Sequence, residues 1–196
     1  MKFNFKNKKD LLSKLKVVFT NKSSIIISGG STIKDLLKNH KYKILCKKIL
    51  LSDERIVKKK SKLRNDIMFK DLIKRKIIGA RQLINYQYQN LEEQKIKIFS
   101  NRVNKLKFQY ALLSLGSNGH FASIFKINNT KMSFYSVKDS PKYPKKRVTI
   151  SLSKISKCKK IIFVASRKKK EKEIKNFNKY KLVKKLPSHK VCIYTF

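Results

Sequence analysis

Cysteine is scarce in this chain of 196 residues: three, at Cys46, Cys158 and Cys192, far apart and with no C-x-x-C pair. An odd, scattered set supplies neither a disulfide framework nor a zinc site, and it fits a reducing cytoplasm. The three prolines form no Pro/Ser-rich linker, and the composition does not shift along the chain, so one domain is expected over residues 1–196. No apolar run approaches the ~18 residues that would cross a bilayer. The N-terminal "MKFNFKNKKDLLSKLKVVFT" begins basic, but Asp10 interrupts it before an export-signal core can form. These absences exclude a membrane span and a disulfide-stapled secreted module. A soluble protein of the cytoplasm is expected, without membrane partners.

Acidic residues are also few. Eleven Asp and Glu stand against 51 Lys and Arg, a formal net charge of +40. Such a field attracts anions of every kind, from nucleic acid to phosphorylated metabolites. Only seven of the basic residues are arginine, the side chain favoured for base readout and phosphate forks. Lysine, isoleucine and asparagine can all be encoded by A/T-rich codons, and we read most of the charge as drift on solvated faces. Aromatic residues make up 10% of the chain but form no stacking module, so no specific nucleic-acid partner is expected.

Glycine is the scarcity that points to function. There are five, and four of them fall in two short segments, Gly29-Gly30 and Gly116 to Gly119. Each segment follows a run that reads as a buried strand: Ser23 to Ser28, and "FQYALLSL" before Gly116. Further strands are read at Lys47 to Ser52, "RVTISL", "KKIIFVAS" and "KVCIYTF". Between them "STIKDLLKNH", "NDIMFKDLIKRKI", "LEEQKIKIFSNRVNKLK" and "KKKEKEIKNF" repeat apolar residues at helical spacing. Alternating strands and helices predict an α/β fold of three layers, a mostly parallel, Rossmann-like sheet with helices on both faces. Ligands then sit beyond the carboxyl ends of the strands, where both glycine segments fall.

Three segments at that edge carry candidate chemistry. "SGGST" ahead of a helix would let backbone amides approach an anion, with the hydroxyls of Ser31 and Thr32 as added donors; the plainer reading is a helix cap after a tight turn. "LSDERIV" sets Asp53, Glu54 and Arg55 at a strand end, either in a site or in a surface ion-paired loop. "GSNGH" places His120 after a double glycine, where a neutral imidazole could take a proton from water and neighbouring amides could face an oxyanion. The plainer reading is a capping or core histidine. His40 and His189 lack such surroundings.

Together "ISGGST", "LLSDERIV…SKLRND", "LLSLGSNGHFASIF", "KRVTISLSKI" and "IIFVASRKKKEKEI" stand in the order found in 6-phosphogluconolactonases, a family that shares its superfamily with glucosamine-6-phosphate deaminase. The resemblance runs from about Ser24 to Pro187. Its strongest element is G-x-x-G-H-x-A-S-I-F, Gly116 to Phe125. The resemblance implies a deaminase-like fold, no cofactor or metal, and hydrolysis of 6-phosphoglucono-1,5-lactone in the oxidative pentose phosphate pathway by a monomer or weak homo-oligomer. It implies that Gly29, Gly30, Ser31 and Thr32 hold the sugar phosphate and that Arg55, Arg147 and Lys170 neutralise its charge. His120 becomes the general base, Asp53 lines the site, and amides near Gly116 to Gly119 face the oxyanion. The family usually has aspartate two residues before the histidine; here Asn118 stands there, and its amide oxygen is expected to accept from the imidazole. Arg167 stands where a glycine is usual. Two alternatives remain at this stage: a sugar-phosphate isomerase or deaminase with Asp53 as the base, and a catalytically weakened anion-binding relative.

Overall fold

The computed structural model describes residues 1–20 and 22–196. Among these described residues ten strands are formed: β1 (Lys2–Asn4), β2 (Ser24–Ile27), β3 (Lys48–Leu51), β4 (Asp53–Arg55), β5 (Leu83–Ile84), β6 (Tyr110–Ser114), β7 (Phe134–Val137), β8 (Arg147–Ile150), β9 (Lys160–Ala165) and β10 (Val191–Thr195). The α-helices are α1 (Lys8–Lys14), α2 (Ser31–Leu37), α3 (Asp66–Lys74), α4 (Glu93–Asn104), α5 (Leu152–Ser156), α6 (Arg167–Lys175) and α7 (Lys181–Lys184).

Seven strands make one sheet in the order β1-β10-β9-β6-β2-β3-β5, and every neighbouring pair is parallel. Successive side chains on a strand point to opposite faces, and the two cores follow that alternation. Ile26, Leu113, Phe163 and Ile193 belong to the core under α4, α6 and α7. Ile25, Ile27, Leu112, Ile162 and Val164 belong to the core under α1, α2 and α3. Each face therefore has its own helical cover, which is the three-layer α/β arrangement expected from the strand–helix alternation. Burying each aliphatic side chain contributes roughly 1.5–3 kcal/mol.

The chain runs outward from β2 through β3 to β5, then returns to β6 on the other side of β2. That reversal leaves a crevice between the loops that follow β2 and β6, the usual ligand position in open α/β sheets. Sequence periodicity missed β1, α1, β5, β7, α5 and α7. It also placed "RVTISL" without a partner and read Asp53 to Arg55 as loop. Both segments belong to a second, antiparallel sheet of order β4-β8-β7, in which Asp53 lies opposite Thr149 and Arg55 opposite Arg147. Among the described residues no helix is long and apolar enough to cross a membrane.

Candidate active site

A cleft of about 230 Å³ opens at the reversal point. It is lined by Gly30, Ser31 and Thr32 after β2, Asp53 and Arg55 on β4, Gly116 and His120 after β6, Arg147 on β8 and Lys170 in α6. Segments more than a hundred residues apart in sequence thus share one wall. Gly29, Asn118 and Gly119 do not line it.

The first loop leaves its polar groups available. Gly30 is the N-cap of α2, no side chain caps the helix, and Ser31 and Thr32 are its first two residues. The capping reading therefore fails for both hydroxyls.

The imidazole of His120 is fixed on three sides. Its Nδ1 lies 2.6 Å from the carbonyl oxygen of Ser117. A carbonyl can only accept, so Nδ1 carries the proton and Nε2 keeps a free lone pair. The ring lies 4.8 Å from that of Phe125, tilted by 39°, and it also rests on the α-carbon of Gly116, where any Cβ would fall inside the ring. Gly119 has φ +76° and packs against Tyr180, so a side chain there meets both a strained backbone and a ring. Burial holds the His120 pKa below 6.5. The bond to Ser117 opposes that shift, the charges of Lys142 and Arg147 add to it, and Asp53 opposes it. A neutral imidazole in the cleft wall with Nε2 unbonded is a competent base near neutral pH.

Two expectations for this loop need correction. The hydrogen-bond partner expected at Asn118 is the Ser117 carbonyl instead; Asn118 has φ +58°, and its side chain is exposed. Of the amides expected to face an oxyanion, those of Gly116 and Gly119 are already engaged, because the turn closes on itself. Gly116 N–H donates to the His120 carbonyl and Gly119 N–H to the Gly116 carbonyl.

The second sheet supplies the charge. Asp53 is buried and accepts from Ser52 Oγ (2.9 Å) and Ser123 Oγ (2.8 Å). Ser123 Oγ also accepts from Arg147 Nη1 at 3.4 Å, so one hydroxyl stands between carboxylate and guanidinium. Arg147 is held by the carbonyls of Lys142, Tyr143 and Pro144. Arg55 donates to the Leu63 carbonyl, but its buried Nε has no partner. Among the described residues neither arginine is ion-paired, although they sit opposite each other on adjacent strands. Burial lowers the Arg147 pKa, and the Arg55 charge adds to that effect. Two such cations side by side form a seat for an anion. Lys170, at a kink in α6, pairs with Glu173 at 3.3 Å.

Behind the cleft, Glu54 accepts from the amides of Arg55, Asn65 and Asp66, so its carboxylate joins β4 to the start of α3. Arg64 lies between Glu54 (3.5 Å) and Asp66 (3.1 Å). Burial pushes the Glu54 carboxyl up to about 7 against the pull of Arg64 and the Asn65 and Arg55 amides.

Sequence reasoning missed Lys142 and Tyr143, which also line the cleft. Nothing distinguishes Lys142 in sequence from the other lysines. Ser114 and Asn65 also line it, within quoted segments whose glycines and charges drew attention first. A larger groove of about 530 Å³ lies near the opposite ends of β3 and β5, with lysine its only ionisable lining. Among the described residues no group of three His, Cys, Asp or Glu could hold a metal ion.

The sequence profile of the glucosamine-6-phosphate isomerases/6-phosphogluconolactonase family matches residues 8–194. No curated protein sequence matches the chain. Among solved structures, the 6-phosphogluconolactonase of Thermotoga maritima superposes with a TM-score of 0.80 at 18% identity, covering 100% of this chain and 98% of that one. A 6-phosphogluconolactonase of Shewanella baltica gives 0.79 at 16% identity, covering 100% and 97%. A monomeric glucosamine-6-phosphate deaminase gives 0.72 at 14%, covering 99% and 96%. At such identities the likeness is one of fold.

Proposed function

This chain belongs to the glucosamine-6-phosphate isomerases/6-phosphogluconolactonase family, and we propose that within it the chain is a lactonase, hydrolysing 6-phosphoglucono-1,5-lactone to 6-phosphogluconate. The observation that carries this reading is the His120 imidazole, neutral and with Nε2 free, in the same cleft as two unpaired arginines. The continuation "HFASIF" favours the lactonase branch over the deaminase branch.

The doubly charged phosphate is drawn by the positive cleft and held by Ser31, Thr32, Arg55 and Lys170, an association that salt weakens. Lys170 exchanges Glu173 for the phosphate. The ester carbon then lies beside His120. Nε2 takes a proton from water as its oxygen attacks the carbonyl, and the Ser117 carbonyl steadies the imidazolium through Nδ1. With the Gly116 and Gly119 amides spent, charge on the carbonyl oxygen develops in the field of Arg147 and Lys142. The tetrahedral centre collapses with cleavage of the ring C–O bond, and the imidazolium returns the proton to the leaving oxygen. Asp53 orients Arg147 through Ser123. Its two oxygens are each engaged by a serine hydroxyl, a geometry that serves positioning and disfavours the isomerase alternative. We read it as a cytoplasmic enzyme working as one domain, monomeric or weakly associated.

The test is a coupled assay with freshly prepared lactone, read against its spontaneous hydrolysis. Wild type should accelerate 6-phosphogluconate formation. His120→Ala should lose about 10²–10⁴-fold in kcat, the usual contribution of a positioned base, with an unchanged circular dichroism spectrum. Wild-type turnover in that variant would remove the base assignment.

A further inference from the structure

Four cations line the cleft, Arg55, Lys142, Arg147 and Lys170, against one acid, Asp53. Hydrolysis turns the neutral ester into a carboxylate, so the product carries one negative charge more than the substrate. A cleft of that sign holds product at least as firmly as substrate, and binding both firmly lowers KM without raising kcat. Release becomes the slow step unless something in the site opposes it.

Among the described residues, Lys170 is the one of these four cations in an ion pair. Its partner is Glu173, one of 11 acids in the chain. The two side chains are 24% and 15% exposed, whereas Lys8–Asp35 and Lys95–Glu92 keep at least 37% at either end. Yet the buried contact is the looser one, 3.3 Å against 2.7 Å. Nor is the pair arranged to stabilise the helix. α6 has no acid in its first turn, and Lys170 precedes Glu173. That order sets the cation toward the N-terminus and the acid toward the C-terminus, against the helix dipole. Lys170 also leaves helical geometry, at φ −140° and ψ 30°, and this kinked residue lines the cleft while Glu173 does not. A loose contact in the unfavourable order, set close to the cleft, describes a partner that exchanges rather than a clamp.

We propose that Glu173 is an internal competitor for the phosphate at Lys170. It neutralises the ammonium in the empty cleft, yields it to the incoming phosphate and takes it back as the product leaves. Glu173 acts through Lys170 and is therefore a positioning residue, one that sets how firmly the seat holds phosphate. This role rests on the reading that Lys170 meets the phosphate.

The test measures binding of inorganic phosphate and of 6-phosphogluconate by calorimetry, together with lactone kinetics. Glu173→Gln keeps the shape of the side chain and removes its charge. It should bind both anions about three- to tenfold more tightly at low salt, as fits an ion pair less exposed than a surface one, and the gain should shrink at high salt. KM for the lactone should fall in parallel, kcat should not rise, and product inhibition should strengthen. Glu173→Asp, which keeps the charge, should stay nearer wild type. Glu171 is exposed on the same helix and unpaired among the described residues. Glu171→Gln makes the same change in net charge and should stay within about twofold of wild type. If Glu173 merely braced α6, Glu173→Gln would bind both anions more weakly. That result, unchanged binding, or equal tightening in Glu171→Gln would overturn the proposal. Lys170→Met should weaken phosphate binding and erase the gain from Glu173→Gln. If it bound phosphate like wild type, the seat would lie elsewhere and the competitor role would fall with it. If wild type does not accelerate lactone hydrolysis, the lactonase reading fails alone, and the phosphate measurements still decide the role of Glu173.

Discussion

The seven-stranded sheet and the three-stranded sheet are built from different side chains. Strands β2, β3, β6, β9 and β10 are almost wholly buried and mostly aliphatic. The small sheet carries Asp53, Glu54, Arg55 and Arg147 on β4 and β8. Among the described residues the buried acids are Asp53, Glu54 and Asp66, all in or against that sheet. Lysine shows the converse, since only Lys154 is buried among the described residues. The charge excess therefore lies on solvated faces, while the three buried acids sit where they hold guanidinium groups, hydroxyls and amides in place. Apolar burial sets where the cleft is; fixed charges set what it can hold.

The largest expected effect breaks the polar half of this contrast. Arg64→Met removes the cation between Glu54 and Asp66 and leaves the buried Glu54 carboxylate without a counter-charge, while Asp66 keeps Lys70 at 3.0 Å. A loss of about 3–5 kcal/mol is expected, read as a lower denaturant midpoint. The folded fraction should also lose kcat/KM, because β4 carries Asp53 and Arg55. Leu112→Ala in the centre of the parallel sheet should cost a comparable or smaller amount, about 2–5 kcal/mol. Its folded fraction should keep wild-type kcat/KM. If both variants lost activity in proportion to stability alone, the division of labour between the sheets would be wrong.

The same contrast explains what could be read from the sequence. The parallel sheet was legible because short, nearly continuous apolar runs have one sensible environment, and glycine marks the ends of β2 and β6. β4 was not, since three charged or polar residues become a strand only by pairing with Arg147 to Thr149, more than ninety positions away. The edge strands β1 and β5 are only three and two residues long, too short to show a period. In the site, glycine scarcity exposed the Gly30 and Gly116 turns and hence His120. The Ser117 carbonyl left no trace, because a backbone contact depends on loop geometry rather than residue type. Lys142 was hidden by its abundance.

A smaller effect concerns pH. The His120 pKa lies below 6.5, so the base remains neutral as pH falls through 6.5, and the acid limb of kcat/KM should lie below that value. Lys142 contributes a charge that disfavours the imidazolium. Lys142→Ala should therefore raise the His120 pKa and move the acid limb to higher pH, by less at high salt. The stability consequence has a matching sign: the unfolded imidazole binds its proton near 6.5 and the folded one lower. Stability linked to His120 is present above 6.5 and is lost as pH falls through the folded value. His120→Gln should flatten that part of the stability profile. A limb unmoved in Lys142→Ala would place the titration on another group.

The smallest effect is the most pointed one for the loop after β6. An aspartate at position 118 would supply a charge that the family usually has, and sequence reasoning alone expects it to hold or raise the rate. The geometry expects little change. Asn118 occupies the left-handed region at φ +58° with an exposed side chain, a conformation that Asp tolerates as well as Asn does. The imidazole proton is already engaged by Ser117. Asn118→Asp should change kcat/KM by no more than about fivefold, the worth of an exposed charge. A gain well beyond that would mean the carboxylate displaces the Ser117 carbonyl from Nδ1. The polar side of the contrast would then extend into the loops of the parallel sheet, and the imidazole would owe its orientation to a side chain rather than to the backbone.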